Sequence, residues 1–167
     1  MIEPDERSSG ASHLLVRVGG YVCALPLAAV RRVVRALTLH PLPGSAAELK
    51  GLAEYGGEPL PVLDLARLVR APQGANPAYP VTVVVWAGPP EARELVGLAA
   101  DAALELARLP ASAQWQQWQQ ADTRPRGGGT ALLPESGSPL AGFVAGEAVV
   151  GGEVVRVVNL EALGGLG

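Results

Sequence analysis

Short apolar stretches, alternating with polar residues or unbroken for four or five positions, are separated along this chain by glycine and proline. That pattern predicts strands far more than helices. Leu14–Val18 reads as a strand, Gly19-Gly20 as a tight turn, and Tyr21–Leu25 as the strand that returns. Pro26, which has no N–H to donate, ends that ladder. From Leu27 the period changes. Leu27, Val30, Val33, Val34 and Leu37 recur at helical spacing among Arg31, Arg32 and Arg35, yet their β-branched content weakens the case for a helix. A short helix and a ragged strand both stay open here. Pro41-Leu42-Pro43-Gly44 reads as a rigid loop. Leu49–Tyr55, Gly56-Gly57 and Glu58–Leu63 make a second hairpin, in which alternation sends only one of Val62 and Leu63 inward. One helical turn follows at Ala66–Val69.

The second half runs through the same order. Val81–Ala87 is a continuous apolar strand expected to be buried on both faces, Gly88-Pro89-Pro90 turns it, and Glu94–Leu98 follows. Ala103–Leu106 alternates as a half-buried strand does, and Leu140–Asn159 holds another hairpin. Leu160–Leu163 repeats the helical turn.

The repetition keeps its register. Gly56-Gly57-Glu58-Pro59-Leu60-Pro61-Val62-Leu63-Asp64-Leu65 returns 95 positions on as Gly151-Gly152-Glu153-Val154-Val155-Arg156-Val157-Val158-Asn159-Leu160. The lead-ins Leu49-Lys50-Gly51-Leu52 and Leu140-Ala141-Gly142-Phe143 look alike as well. Two copies are too few for a solenoid, so the chain is a duplicated module with about five strands per half, a small barrel or sandwich.

The expected layout is a disordered tail over 1–12 and one domain over 13–167. Within it, a first barrel covers about 13–70, a linker rich in Pro, Gly, Asn and Gln covers 71–80, and a second barrel covers about 81–163. The irregular loop 111–138 breaks the symmetry with Trp115 and Trp118, three apart among glutamines, and the triple glycine Gly127–Gly129. On a helical turn the two tryptophans would share a face, either covering the edge of the core or meeting a partner.

Composition narrows the function classes. With 49% hydrophobic and 17% charged residues the chain of 167 is globular, and its net charge of −3 shows no nucleic-acid footprint. Lys50 is the only lysine. Cys23 is alone, which excludes an internal disulfide and suggests an inert buried thiol. No leading apolar stretch resembles a signal peptide and no run reaches the roughly 20 residues of a membrane span, so a cytoplasmic protein is expected.

Catalysis has little to work with. His13 and His40 are expected to be solvated and carry no motif, no metal-ligand spacing is visible, and Gly127–Gly129 lacks the Lys-Ser/Thr ending of a phosphate loop. Glu58 and Asp64 sit at opposite ends of one strand, too far apart for shared acid–base work. Asp64, matched by Asn159, is expected to cap the helical turn that follows it.

The run Leu25-Pro26-Leu27-Ala28-Ala29-Val30, then Pro41-Leu42-Pro43-Gly44, Lys50-Gly51-Leu52 and Gly57-Glu58-Pro59-Leu60-Pro61-Val62-Leu63-Asp64-Leu65, closely resembles the CheW-like family of bacterial chemotaxis adaptors. The resemblance spans about Leu14 to Leu163. It implies a mainly β fold of two pseudo-symmetric, intertwined five-stranded SH3-like β-barrels and a protein without catalysis or cofactor. The implied partners are the regulatory domain of a CheA-type histidine kinase and the cytoplasmic tip of a chemoreceptor. It also places partner contacts at Val30, Val33, Val34, Gly51 and Gly56, to which the exposed-tryptophan reading adds Trp115 and Trp118. One departure is sharp: relatives carry Asn-hydrophobic-Arg-Gly where this chain has Glu54-Tyr55-Gly56-Gly57, so Gly56 replaces the coupling arginine. An adaptor of a motility or type IV pilus pathway without receptor binding, and a small-molecule-binding barrel with its site at 111–138, are the rival functions.

Overall fold

The computed structural model describes residues 10–71, 79–109 and 143–163. Trp115, Trp118, the loop 111–138, residues 72–78 of the expected linker and residues 1–9 of the expected tail lie outside them.

The described residues form strands β1 (Ser12–Val18), β2 (Tyr21–Pro26), β3 (Val30–Arg35), β4 (Leu49–Tyr55), β5 (Glu58–Asp64), β6 (Val81–Ala87), β7 (Glu94–Ala100), β8 (Ala102–Arg108), β9 (Val144–Val150) and β10 (Glu153–Val158). The four-residue helix α1 (Leu65–Leu68) follows β5, and a 3₁₀ turn, Leu160–Leu163, stands in its place after β10. The strands make two five-stranded sheets, ordered β8-β1-β2-β10-β9 and β3-β6-β7-β5-β4. This is the expected mainly β, pseudo-symmetric pair, although the ladders leave both sheets open. In the second sheet the gap is crossed at one point, where His40 and Leu52 exchange backbone hydrogen bonds of 2.8 and 2.9 Å.

The sheets do not divide the chain at the linker. β1 and β2 lie in the sheet of β8–β10, and β6 and β7 lie in the sheet of β3–β5. Each repeat therefore gives its first hairpin to the other repeat's sheet. The residues 13–70 and 81–163 are units of sequence repetition, and each sheet takes strands from both. Two parallel ladders make the exchange: Val22, Cys23 and Ala24 pair with Val155, Arg156 and Val157, and Val62, Leu63 and Asp64 pair with Gly97, Leu98 and Ala99. Gly97 is small for a reason. A Cβ there would stand 2.9 Å from Thr82 Cγ2 and 3.1 Å from Val62 Cγ2.

The segment after Pro26 settles as a 3₁₀ turn, Leu27–Ala29, followed by strand β3; the helical spacing of its valines misled, and their β-branching prevailed. β8 departs from the expected half-buried alternation. It is an edge strand paired only with β1, and Leu104, Glu105 and Leu106 are all exposed. Val83, Val84 and Val85 of β6 are fully buried as their unbroken apolar run requires, whereas Trp86 at its end reaches solvent.

The repeats match down to their irregularities. Both hairpins turn on two glycines with positive φ, 61° and 82° at Gly56-Gly57 and 57° and 83° at Gly151-Gly152, a geometry that glycine takes without strain. Both carry a register shift at the same place, skipping Lys50 in β4 and Ala145 in β9. The structural counterpart of Gly51 is thus Gly146, four residues beyond the Gly142 that the lead-in resemblance suggested. Asp64 Oδ1 accepts from Arg67 N at 3.2 Å and Asn159 Oδ1 accepts from Glu161 N at 3.2 Å, the expected caps.

Packing explains why exchange is stable. Leu14, Val16, Val18, Cys23 and Leu25 face a large core continuous with the β3–β7 sheet. Leu15, Val22 and Ala24 face a smaller core closed by Ala148, Val155, Val157 and Leu109. The β1–β2 hairpin is therefore buried on both sides and joins the two cores. Val62 and Leu63 are both buried in the large core, at 1% and 2% exposure, contrary to simple alternation. This end of β5 is covered on both faces because it lies between β7 and β4 and runs into α1.

Leu63→Ala should cost about 2–5 kcal/mol, and Val62→Ala about 2 kcal/mol from two buried carbons at roughly 0.8 each plus a cavity. Urea unfolding of both variants checks this, and a neutral result for either would place that side chain outside the core. At Gly51 a Cβ would meet His40 O at 2.7 Å, so Gly51→Ala should lose about 1–3 kcal/mol of stability by overpacking. An unchanged thermal midpoint would show that the His40 loop does not hold this approach.

Candidate docking surface

β3 carries three of the expected contact residues, Val30, Val33 and Val34. Pro26 closes β2, the 3₁₀ turn carries the chain across to the other sheet, and β3 joins its edge by pairing only with β6. A register shift between Val30 and Arg32 lets Arg31 and Arg32, neighbours in sequence, both reach solvent. Arg35 is exposed too. None of the three arginines forms an ion pair among the described residues. Val33 stands between them at 41% exposure, whereas Val30 and Val34 are half-buried and pack against the core.

An edge strand presents unpaired backbone N–H and C=O groups, and charged residues along it discourage indiscriminate pairing. Three guanidinium groups around one exposed valine give this edge a positive rim around a small apolar patch.

The other expected contact residues are not brought to this edge. Gly51 lies in β4, at the opposite margin of the same sheet with β6, β7 and β5 between. It is buried, and the crossing of His40 over it gives it a structural role. Gly56 is at the exposed tip of the β4–β5 hairpin with no atom within 4 Å of where a Cβ would be, so a side chain there would point into solvent. Its φ of +61° would strain any residue other than glycine by about 1 kcal/mol. Trp115 and Trp118 lie outside the described residues.

His13 is buried at 3% exposure, not solvated, because β1 is covered on both edges by β2 and β8; its Nδ1 is 2.9 Å from Ala11 O. His40 is exposed as expected. Burial pushes the Cys23 thiol up to about 12, against the opposing pull of Arg156, which keeps it unreactive at neutral pH. Arg156 itself stacks 3.5 Å from the centre of the Tyr21 ring and pairs with Glu147 at 3.7 Å. Sequence reasoning missed Trp86, exposed at 37% beside the Gly88 turn. Its signal was its place as the last bulky residue before a glycine-proline turn, where a strand leaves the core.

A domain-family model described as the CheW-like domain matches residues 12–165. The crystal structure of the scaffolding protein TtCheW from Thermoanaerobacter tengcongensis superposes with a TM-score of 0.67 over 92% of each chain, at 16% sequence identity. At that identity the likeness speaks for the fold. No curated protein sequence matches significantly. The family match takes in both hairpins of the duplication, both parallel ladders and the arginine-flanked edge, and the chain belongs to the CheW-like domain family.

Proposed function

We propose that this protein is a non-catalytic cytoplasmic adaptor that couples a CheA-type histidine kinase to chemoreceptors in a bacterial signalling complex. The observation that carries this reading is the β3 edge: an exposed Val33 flanked by Arg31, Arg32 and Arg35 on a CheW-like fold. A scaffold needs a rigid surface with a directional, charge-selective rim, and an edge strand braced by β6, whose Val83, Val84 and Val85 are buried, supports that role. No helix among the described residues is long and apolar enough to cross a membrane.

Gly56 favours a narrower version. Without an arginine at the β4–β5 tip the chain lacks a bidentate, charge-assisted contact there. An adaptor that holds the kinase and binds receptor weakly or not at all, as in a motility or type IV pilus pathway, follows from that substitution.

The test is a pull-down and a calorimetric titration of the full chain with the regulatory domain of a CheA-type kinase, and separately with a receptor tip fragment. Val33→Glu should weaken kinase or receptor binding by about tenfold or more, equivalent to about 1.4 kcal/mol, while the thermal midpoint holds because Val33 is exposed. Absence of binding to both partners by the unsubstituted chain would overturn the adaptor reading. Gly56→Arg is expected to raise receptor affinity. An unchanged affinity would show that this position does not set the chain apart from its relatives.

A further inference from the structure

Because the two repeats share a backbone, a side chain lodged in one shows what fits in the other. In the first repeat Tyr79, two residues ahead of β6, is buried with its ring centre 4.6 Å from Lys50 Nζ. Asp64, the cap at the end of β5, lies close enough for its charge to act on the phenol. In the second repeat, 95 residues on, Lys50 and Asp64 are replaced by Ala145 and Asn159, on the same bulge and at the same cap.

Among the described residues, the position matching Tyr79 is a glycine. By strand order β1 stands where β6 stands, each carrying a buried polar residue at its second position, His13 and Thr82. Three residues before His13, where Thr82 has Tyr79, the chain has Gly10. The second repeat holds a cavity of about 270 Å³ whose wall includes Ala145 and Asn159, the counterparts of Lys50 and Asp64.

The rest of that wall suits an aromatic guest. Trp86 supplies a flat face, Val157 and Leu160 an apolar side, and Arg93 and Glu161 charges of opposite sign that do not pair with each other. The volume is at the small end for ligand pockets, with room for one or two rings. Stacking on Trp86 rewards a planar ring over an aliphatic one of equal size.

We propose that this cavity, between the β6–β7 turn and the end of β10, binds a small planar aromatic ligand carrying a polar group, of the phenol or indole type. The site adjoins the start of β3 through Ala28 and Ala29, and the proposal does not depend on the adaptor reading.

The test is a titration of the isotope-labelled full chain with p-cresol, the tyrosine side-chain analogue, and separately with indole, with cyclohexanol as the non-aromatic control. Saturable amide shifts are expected at Gly88, Ala145, Asn159 and Leu160, with cyclohexanol about threefold to tenfold weaker. Gly10→Tyr places a phenol where Tyr79 stands in the other repeat and should abolish these shifts. Should that variant fail to fold, Ala145→Phe on the exposed margin of β9 fills the same space. The proposal is overturned if no saturable shift develops up to the solubility of p-cresol, or if the shifts survive in the cavity-filling variant. It is equally overturned if these amides move only when another protein is added, which would make the cavity a docking pocket.

Discussion

Two short parallel ladders carry the architecture. β2 meets β10 and β5 meets β7 over three residue pairs each, and these are the contacts through which each repeat lends a hairpin to the other's sheet. Parallel pairing needs a distant crossover, and here the crossover is the other half of the molecule. Gly97 makes one junction possible, since any side chain at that position would collide with Val62 and Thr82. The β1–β2 turn is also tied across: Gly19 N donates to Asp101 Oδ2 at 2.7 Å, while on the other side Gly88 N donates to Leu160 O at 3.0 Å. Neither sheet is complete without the other repeat, so the halves are expected to fold as one cooperative unit.

Exchange also frees the edges. With the hairpins buried on both faces, the strands left at the margins are β3, β4, β8 and β9, and these carry the surfaces that can differ. β3 is guarded by arginines, whereas β8, its counterpart, exposes Leu104 and Leu106. On the hairpins, the cross-strand pair Glu54 and Pro59 of the first repeat becomes Val149 and Val154 in the second, exposed at 67% and 46%. Most buried strand positions stay apolar in both repeats because both must fill the same register, while the exposed ones have diverged in charge and polarity.

Duplication was legible in the chain because turn glycines and caps obey local rules. Gly56-Gly57 and Gly151-Gly152 need only their own backbone, and Asp64 and Asn159 need only the next turn, so neighbours in sequence suffice to read them. The Val30–Arg35 segment was ambiguous because spacing and β-branching point opposite ways, and pairing with β6 decided it. His13 looked solvated because nothing local reveals that β8, some ninety residues away, covers its strand. For the docking surface, the residues Val30, Val33 and Val34 were identifiable, yet which of them faces solvent was not.

The sequence by itself determined strand content, the turns, the repeat and the family resemblance, since these rest on period, glycine φ and capping within a few residues. Only the tertiary structure decided which hairpin belongs to which sheet, because β2 and β5 have apolar runs equally able to pair with either repeat. It also assigned Gly51 to a backbone crossing, left Val33 alone of the three valines exposed, and opened a cavity walled by Ala145, Asn159 and Trp86. Those outcomes depend on what a residue meets from across the fold, and contact between distant segments leaves no trace in local pattern.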